Sequence, residues 1–319
     1  MAWPPYHLME RDYLAEAQRK YDKIERLYHV GHRQSWDGKQ VLKELLAKHG
    51  GIHLPPTKRK AISEIFATIL WGELAAWSIS ADLALRLEDT EAKMAATGQV
   101  FDEARHFYTM RDYLLELDVE IPKLDGYTHA VLTSLLDTDR LVDKLLGMQL
   151  IVESVAVTLF KTVAQANVEP VLSELMPYFE RDEARHVGLG VLYLPRLLAN
   201  ISRIEAARLK LLQLKIITLI GWGTHLKSEH FRTLGIDNNE SYRRGMRLNR
   251  QVLDGMRTPD GEEPPGVLIG SRDVDRLNDL AIDLFFPRLG AELPGWQRKI
   301  LGVVEGLSRV GDRALRIAS

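Results

Sequence analysis

The pentapeptide Asp-Glu-Ala-Arg-His occurs twice, at residues 102–106 and 182–186, 80 residues apart. Thirty residues before the first copy's Glu103 stands Glu73, in ILWGELAAW. Thirty residues before Glu183 stands Glu153, in QLIVESVAV. Both isolated glutamates lie within strongly apolar runs. A lone carboxylate buried there costs several kcal/mol unless an opposite charge offsets it, and a bound cation is an economical offset. In Glu-x-x-His the two side chains project from one face of a helix, about 60° apart. The pattern therefore demands a fold in which four helices bring Glu73, Glu103 with His106, Glu153, and Glu183 with His186 together. Four carboxylates and two imidazoles suit two first-row transition ions with open positions.

The rest of the chain agrees with an all-α fold. Apolar residues recur at helical spacing, and alternating strand patterns are poor. Helices are expected over 8–29, 37–48, 57–87, 89–117, 127–136, 139–167, 170–199, 202–233, 239–257, 272–286 and 295–314. Gly50-Gly51, Pro55-Pro56, Pro122 and Gly126 punctuate them, and Pro170 suits a first helical turn. Pro177 predicts a kink or a later start. The segment 259–270, PDGEEPPGVLIG, reads as a connecting loop. The bundle core is expected at 57–199, with N-terminal helices in 1–50 and a helical extension over 200–319, all in one domain. That extension is expected to shape a pocket or a dimer interface, and a homodimer is expected.

Composition removes several function classes. The net charge is −2, so no overall basic surplus points to nucleic acid or an anionic membrane. The chain has no cysteine, which excludes disulfides, zinc–thiolate sites, thiol nucleophiles and iron–sulfur clusters bound by this chain. This fits a cytoplasmic location. The start MAWPPYHLMERDYL does not read as a secretory signal. Leu145–Phe160 is interrupted by Gln149 and Glu153, so no clean membrane span is expected.

The two Glu-x-x-His motifs with their upstream glutamates resemble the ferritin-like di-iron carboxylate superfamily, over about residues 57–199. The resemblance implies a ferritin-like four-helix bundle. It implies that Glu73, Glu103 and His106 hold one iron, and that Glu153, Glu183 and His186 hold the other. Glu103 and Glu183 would bridge, and a Mn/Fe pair fits the same ligands. Asp-Glu-x-Arg-His is more similar to the oxidase and oxygenase branch than to storage ferritins. By that resemblance Asp182 orients His106, Asp102 orients His186, and Arg105 and Arg185 pair with the aspartates.

Several relatives are distinguished residue by residue. Radical-generating reductase subunits carry a Tyr one turn after the first His, where this chain has Met110, and Asp as first ligand, where it has Glu73. The R2-like ligand-binding oxidases cross-link a Val to a Tyr at positions held here by Ala76 and Met148, so that bond cannot form. Arylamine N-oxygenases place a further His where Phe179 stands. Ile69, Leu70, Ala76, Trp77, Met110, Ala156, Val157 and Gly190 lie about one turn from the ligands. They form an apolar wall whose small residues either leave room for substrate or let helices approach. Gln149 is a candidate neighbour of the site, whereas Gln99 and Glu180 are expected to be exposed. Thr158 falls off the ligand face. His225 and His230 read as surface or capping histidines, and Trp36, Trp71, Trp77 and Trp222 as core aromatics.

The implied activity is oxygen-dependent oxidation of a mostly apolar substrate, by hydroxylation, desaturation or cleavage. With no cysteine and no dinucleotide or flavin motif, an external ferredoxin or reductase is expected to supply electrons. The alternative is ferritin- or rubrerythrin-like iron oxidation or peroxide scavenging. The long extension after residue 199 argues against it.

Overall fold

The computed structural model describes residues 22–257 and 261–318. The elements are α1 (Asp22–Arg33), α2 (Gly38–His49), α3 (Pro56–Arg86), α4 (Thr90–Glu116), α5 (Gly126–Leu136) and α6 (Leu141–Lys144). A π-helical segment, Leu145–Val152, leads into α7 (Glu153–Ala166) and α8 (Pro170–Leu198). The extension holds α9 (Arg203–Leu226), α10 (Ser228–Thr233), α11 (Asn238–Met256), α12 (Arg272–Phe285) and α13 (Gly295–Ala318). No strand occurs among the described residues. The first part of the helix expected over 8–29 lies outside them, as does the start of the loop expected over 259–270.

Helices α3, α4, α7 and α8 form a four-helix bundle with α3 beside α4 and α7 beside α8. Its apolar interior is split. One cluster gathers Ile79, Leu83, Leu146, Leu150 and Leu194. The other gathers Phe66, Met110, Tyr113, Phe160 and Phe179. On α3, α4 and α8 the metal-type residues fall between the two clusters, so a polar layer crosses the middle of the core. Helices α1 and α2 cover α4 and α8. On the opposite side α10 packs on α3 and α11 on α7, with α5, α9 and α13 beyond.

Local sequence explains most element ends. Asp37, Asp125, Ser202 and Asp237 cap the first turns of α2, α5, α9 and α11. Glu169 caps α8 by accepting from the amides of Val171 and Leu172, ahead of Pro170. Three expectations change. Helix α8 starts at Pro170 and continues through Pro177, so the later start does not occur. The helix expected over 202–233 breaks at Lys227 into α9 and α10. The helix expected over 139–167 contains the π segment just before Glu153. Gly147 lies in that segment and packs closely on α5: a Cβ there would stand 2.3 Å from the Leu135 side chain, which would have to shift.

Helix α3 and the run Leu141–Ala166 are long and apolar enough to cross a bilayer by length and composition alone. Both are bundle helices carrying a central buried glutamate, and most of each apolar stretch is buried inside the protein.

Candidate metal centre

Glu73 comes from α3, Glu103 and His106 from α4, Glu153 from the start of α7, and Glu183 and His186 from α8. All six are buried, at 5% exposure or less. Their ligand atoms form two overlapping groups. Glu73, Glu103, His106 and Glu183 make one, and Glu103, Glu153, Glu183 and His186 make the other. Within each group one atom per residue lies within 4.8 Å of the rest. Glu103 and Glu183 belong to both groups.

The polar atoms at the centre lack ordinary partners. Glu103 Oε2, Glu183 Oε1 and His106 Nδ1 are buried without a hydrogen bond. His106 Nδ1 stands 2.9 Å from Glu183 Oε1, and His186 Nδ1 stands 2.8 Å from Glu183 Oε2 and 3.1 Å from Glu103 Oε1. Buried groups in native proteins are satisfied as a rule, so convergent orphans mark a place built for something else. The donor set of oxygen and imidazole nitrogen fits first-row transition ions.

The protonation pattern says the same. Burial, then the nearby Glu183 charge, pushes the Glu73 carboxyl well above its usual value. Burial, then Glu183 and Glu103, does so for Glu153. Burial also opposes ionisation of Glu103, but the charges and hydrogen bonds of His186 and His106 outweigh it and hold that carboxyl low. Burial disfavours protonation of His106 and His186, yet the surrounding carboxylates raise both well above the ordinary imidazole value. Without cations the site must borrow protons to offset its negative charge.

Around it lies a closed ion network. His106 Nε2 stands 3.2 Å from Asp182 Oδ2, and His186 Nε2 stands 3.3 Å from Asp102 Oδ2. The ring nitrogens facing away from the centre are thereby fixed, as a metal-binding imidazole requires. Arg105 donates to Asp102 and, at 2.8 Å, to Asp182. Arg185 donates to both at 2.9 and 2.7 Å. The pairing expected of both arginines is present, and each bridges the two aspartates across helices α4 and α8.

The structure places further residues around this network. Trp36, between α1 and α2, donates its indole N–H to Asp182 at 2.7 Å, so it is no mere core aromatic. Gln99 is 2% exposed rather than on the surface. Its amide donates at 3.0 Å to both Glu103 and Glu153, and Gln149 donates to it at 3.2 Å. Both glutamines stand four residues before a ligand, and for Gln99 that spacing outweighs its mixed flanks. Glu180 is half-buried, 3.7 Å from Lys161, and stays outside the centre. The 80-residue symmetry fails at the glutamines. Phe179 takes the position matching Gln99 and stacks on His106 with ring centres 4.4 Å apart. One half of the site is walled by amides, the other by an aromatic ring.

A cavity of about 550 Å³ reaches Glu73 and Glu153. It lies on the α3/α7 side, between the bundle and α9, α11, α12 and α13, and its lining is mainly apolar. The extension therefore shapes a pocket. Of the expected wall, Ile69, Ala76 and Ala156 line it, while Leu70 and Met110 sit in the core. Val157 is buried in the other core cluster. Gly190 serves packing instead: a Cβ there would stand 2.8 Å from Leu150. Trp71 and Trp77 are 36% and 37% exposed, not core residues. Trp222 lines the cavity, stacked near Tyr127. Thr158 lines it too, because the cavity wraps around α7 toward α11. His225 is a cavity residue rather than a surface one, its Nδ1 buried without a partner.

No protein-family model matches the chain, and no curated protein does. Solved structures do. An R2-like ligand-binding oxidase variant with an aerobically reconstituted Mn/Fe cofactor superposes with a TM-score of 0.57 at 18% identity, over 74% of this chain and 95% of that one. Another with an Fe/Fe cofactor gives 0.55 at 17% identity, over 73% and 93%. A third, with Mn/Fe, gives 0.55 at 18%, over 72% and 91%. The identity is low and the coverage high, and the all-helical frame is the same in each. The chain shares the all-helical fold of the R2-like ligand-binding oxidases.

Proposed function

We propose that the protein is an oxygen-dependent oxidase with a dinuclear Fe/Fe or Mn/Fe centre that oxidises a small, mostly apolar substrate. The observation that carries this reading is the apolar cavity whose wall includes Glu73 and Glu153 themselves. A storage or scavenging site has no use for a cavity of this volume and character at its metals. When bound, the ion pair supplies dioxygen binding and electron transfer.

The chain's own residues do the rest. Glu103 and Glu183 reach both halves of the centre. Asp182 and Asp102 hold the two imidazoles by their outward nitrogens. Gln99 fixes the carboxylates of Glu103 and Glu153 by donating to each. Ile69, Ala76 and Ala156 present an apolar surface beside Glu73 and Glu153, which keeps water from the reacting region and leaves room for a hydrocarbon group. With no cysteine, the chain supplies no iron–sulfur relay, so an external electron donor belongs to this proposal. So do a cytoplasmic location and a homodimer.

The test is oxygen uptake by metal-loaded protein with a chemical reductant, across apolar compounds of increasing length. Uptake coupled to an oxidised organic product supports the reading. Uptake that needs no organic compound and ends in accumulated ferric oxide would instead support iron oxidation as the function.

A further inference from the structure

Helix α13 has two apolar faces, and only one is used. Val304 and Ser308 are buried against the protein. The Tyr127 hydroxyl donates to the Ser308 carbonyl at 2.9 Å, which fastens this face to α5. The other face carries Trp296, Ile300, Val303, Leu307, Val310 and Ile317, alternately four and three residues apart, with Ala314 completing the last interval. Val303 is 62% exposed, Leu307 58% and Val310 64%. A solvated helix face does not place a large apolar side chain on every turn, and a continuous stripe of this kind marks an interaction surface. Helix α9, which packs on α13, repeats the feature with Ile204, Leu211 and Leu214 exposed in a row.

The charges beside these stripes have one dominant sign. Turning around α13 at about 100° per residue, its stripe is bordered on one side by the protein body. On the other it meets Lys299 and Arg313, then Arg298, Arg309 and Arg316. Glu305 and Asp312 lie beyond, paired with Arg309 and Arg316. On α9, Arg203, Lys210 and Lys215 are exposed beside the stripe, while Arg208 turns back to Asp143 and Glu205. The whole chain carries −2, whereas α9 and α13 together carry nine lysines and arginines against three acidic residues.

We propose that α9 and α13 form a docking surface for an anionic lipid bilayer. The apolar stripes enter the headgroup boundary, the flanking lysines and arginines meet lipid phosphates, and Trp296 lies at the interface. The surface also explains how the cavity fills, a point that rests on the oxidase reading. Leu214 and Thr218 are exposed on the outer side of α9 and also line the cavity, whose far wall includes Val304 of α13. An apolar compound dissolved in the bilayer meets the rim of the cavity without crossing water.

A second copy of the chain fits the stripe less well. Antiparallel pairing of two α13 stripes sets Lys299 of one copy against Arg313 of the other. Parallel pairing sets Lys299 opposite Val304 and Arg313 opposite Ala318. Neither arrangement supplies an opposite charge to the basic flank, whereas acidic lipid does.

The experiment is flotation of the metal-loaded full chain with phosphatidylcholine vesicles and with vesicles that also contain phosphatidylglycerol. The wild type floats with the anionic vesicles, does not float with phosphatidylcholine alone, and dissociates as salt rises. Lys299→Gln with Arg313→Gln weakens binding roughly 30-fold, about fivefold for each residue. Val303→Glu with Leu307→Glu abolishes flotation with melting temperature and metal content unchanged, because both side chains are in solvent. Absence of flotation with either vesicle overturns the proposal, as does flotation indifferent to the Val303/Leu307 pair. A wild-type dimer in light scattering that this pair dissociates, with no vesicle binding, would assign the face to a second copy. Flotation needs no turnover: protein that floats but oxidises nothing retains the docking surface and loses the oxidase reading.

Discussion

Asp182→Ala is the substitution whose cost follows most directly from the geometry. Asp182 accepts from Trp36 at 2.7 Å, Arg105 at 2.8 Å and Arg185 at 2.7 Å, and stands 3.2 Å from His106. Asp102 and Asp182 balance Arg105 and Arg185, and all four are buried. Removing one carboxylate leaves two buried guanidinium groups facing one anion. An uncompensated buried charge of this kind costs about 3–5 kcal/mol. A domain's whole stability is about 5–15 kcal/mol, so the variant folds poorly at ordinary temperature. Asp182→Asn retains the shape and one acceptor but loses the charge, and falls between. Urea unfolding of metal-free protein measures the cost, and a metal titration shows a further loss of about 10–100-fold in affinity because His106 is no longer oriented. The control is Glu174→Ala, which breaks the solvent-exposed pairing with Lys48 and His49 and leaves the midpoint where it was. If Asp182→Ala cost less than about 1 kcal/mol and bound metal normally, the network would be incidental and the reasoning wrong.

Gln99→Leu removes the donor shared by Glu103 and Glu153. Metal-free stability falls by about 1–3 kcal/mol, and metal affinity drops on the Glu153 side with little change on the Glu73 side, read by stepwise titration. Ala156→Phe fills the cavity beside Glu153, so the protein keeps its metals in elemental analysis but loses binding of apolar probes. Stability of the metal-free protein falls as pH rises. Glu73 and Glu153 have folded values raised above the ordinary ~4.5, and His106 and His186 above ~6.5, so the folded state holds protons that the unfolded chain releases. Stability present below those unfolded values is lost as pH climbs through the raised ones. The lowered carboxyls Glu103, Glu183, Asp102 and Asp182 act oppositely, losing their contribution as pH falls through their depressed values. Thermal melts across pH, with and without metal, check this: metal loading abolishes the decline on the alkaline side.

The ligand set was legible because a repeated motif at constant spacing is a property of the sequence itself. Lone glutamates in apolar helices left a charge to be explained, and four helices were needed to explain it. What escaped the reading depends on which elements meet. Gln99 stood one turn before Glu103, but its second carboxylate partner appeared only once α7 brought Glu153 against it. Trp36 reaches Asp182 from a connection 146 residues away in sequence. Thr158 and His225 looked outward on their own helices, until the extension folded back and enclosed them in the cavity. The π segment was hidden because its composition is that of an ordinary apolar helix. Net charge is silent on arrangement: a chain at −2 can still set more basic than acidic residues along two of its helices. The arginines of the repeat were legible from helical spacing, which sets Arg105 and Arg185 away from the ligand face.

The central claim is that each copy of the repeat supplies half of one dinuclear site. Metal analysis of anaerobically iron-loaded wild type beside Glu103→Ala and Glu183→Ala tests it most directly. Both residues belong to both ligand groups, so the account predicts about two ions per chain in the wild type and loss of stoichiometric metal in each variant. Wild-type protein without stoichiometric metal, or uptake indifferent to both substitutions, would contradict it.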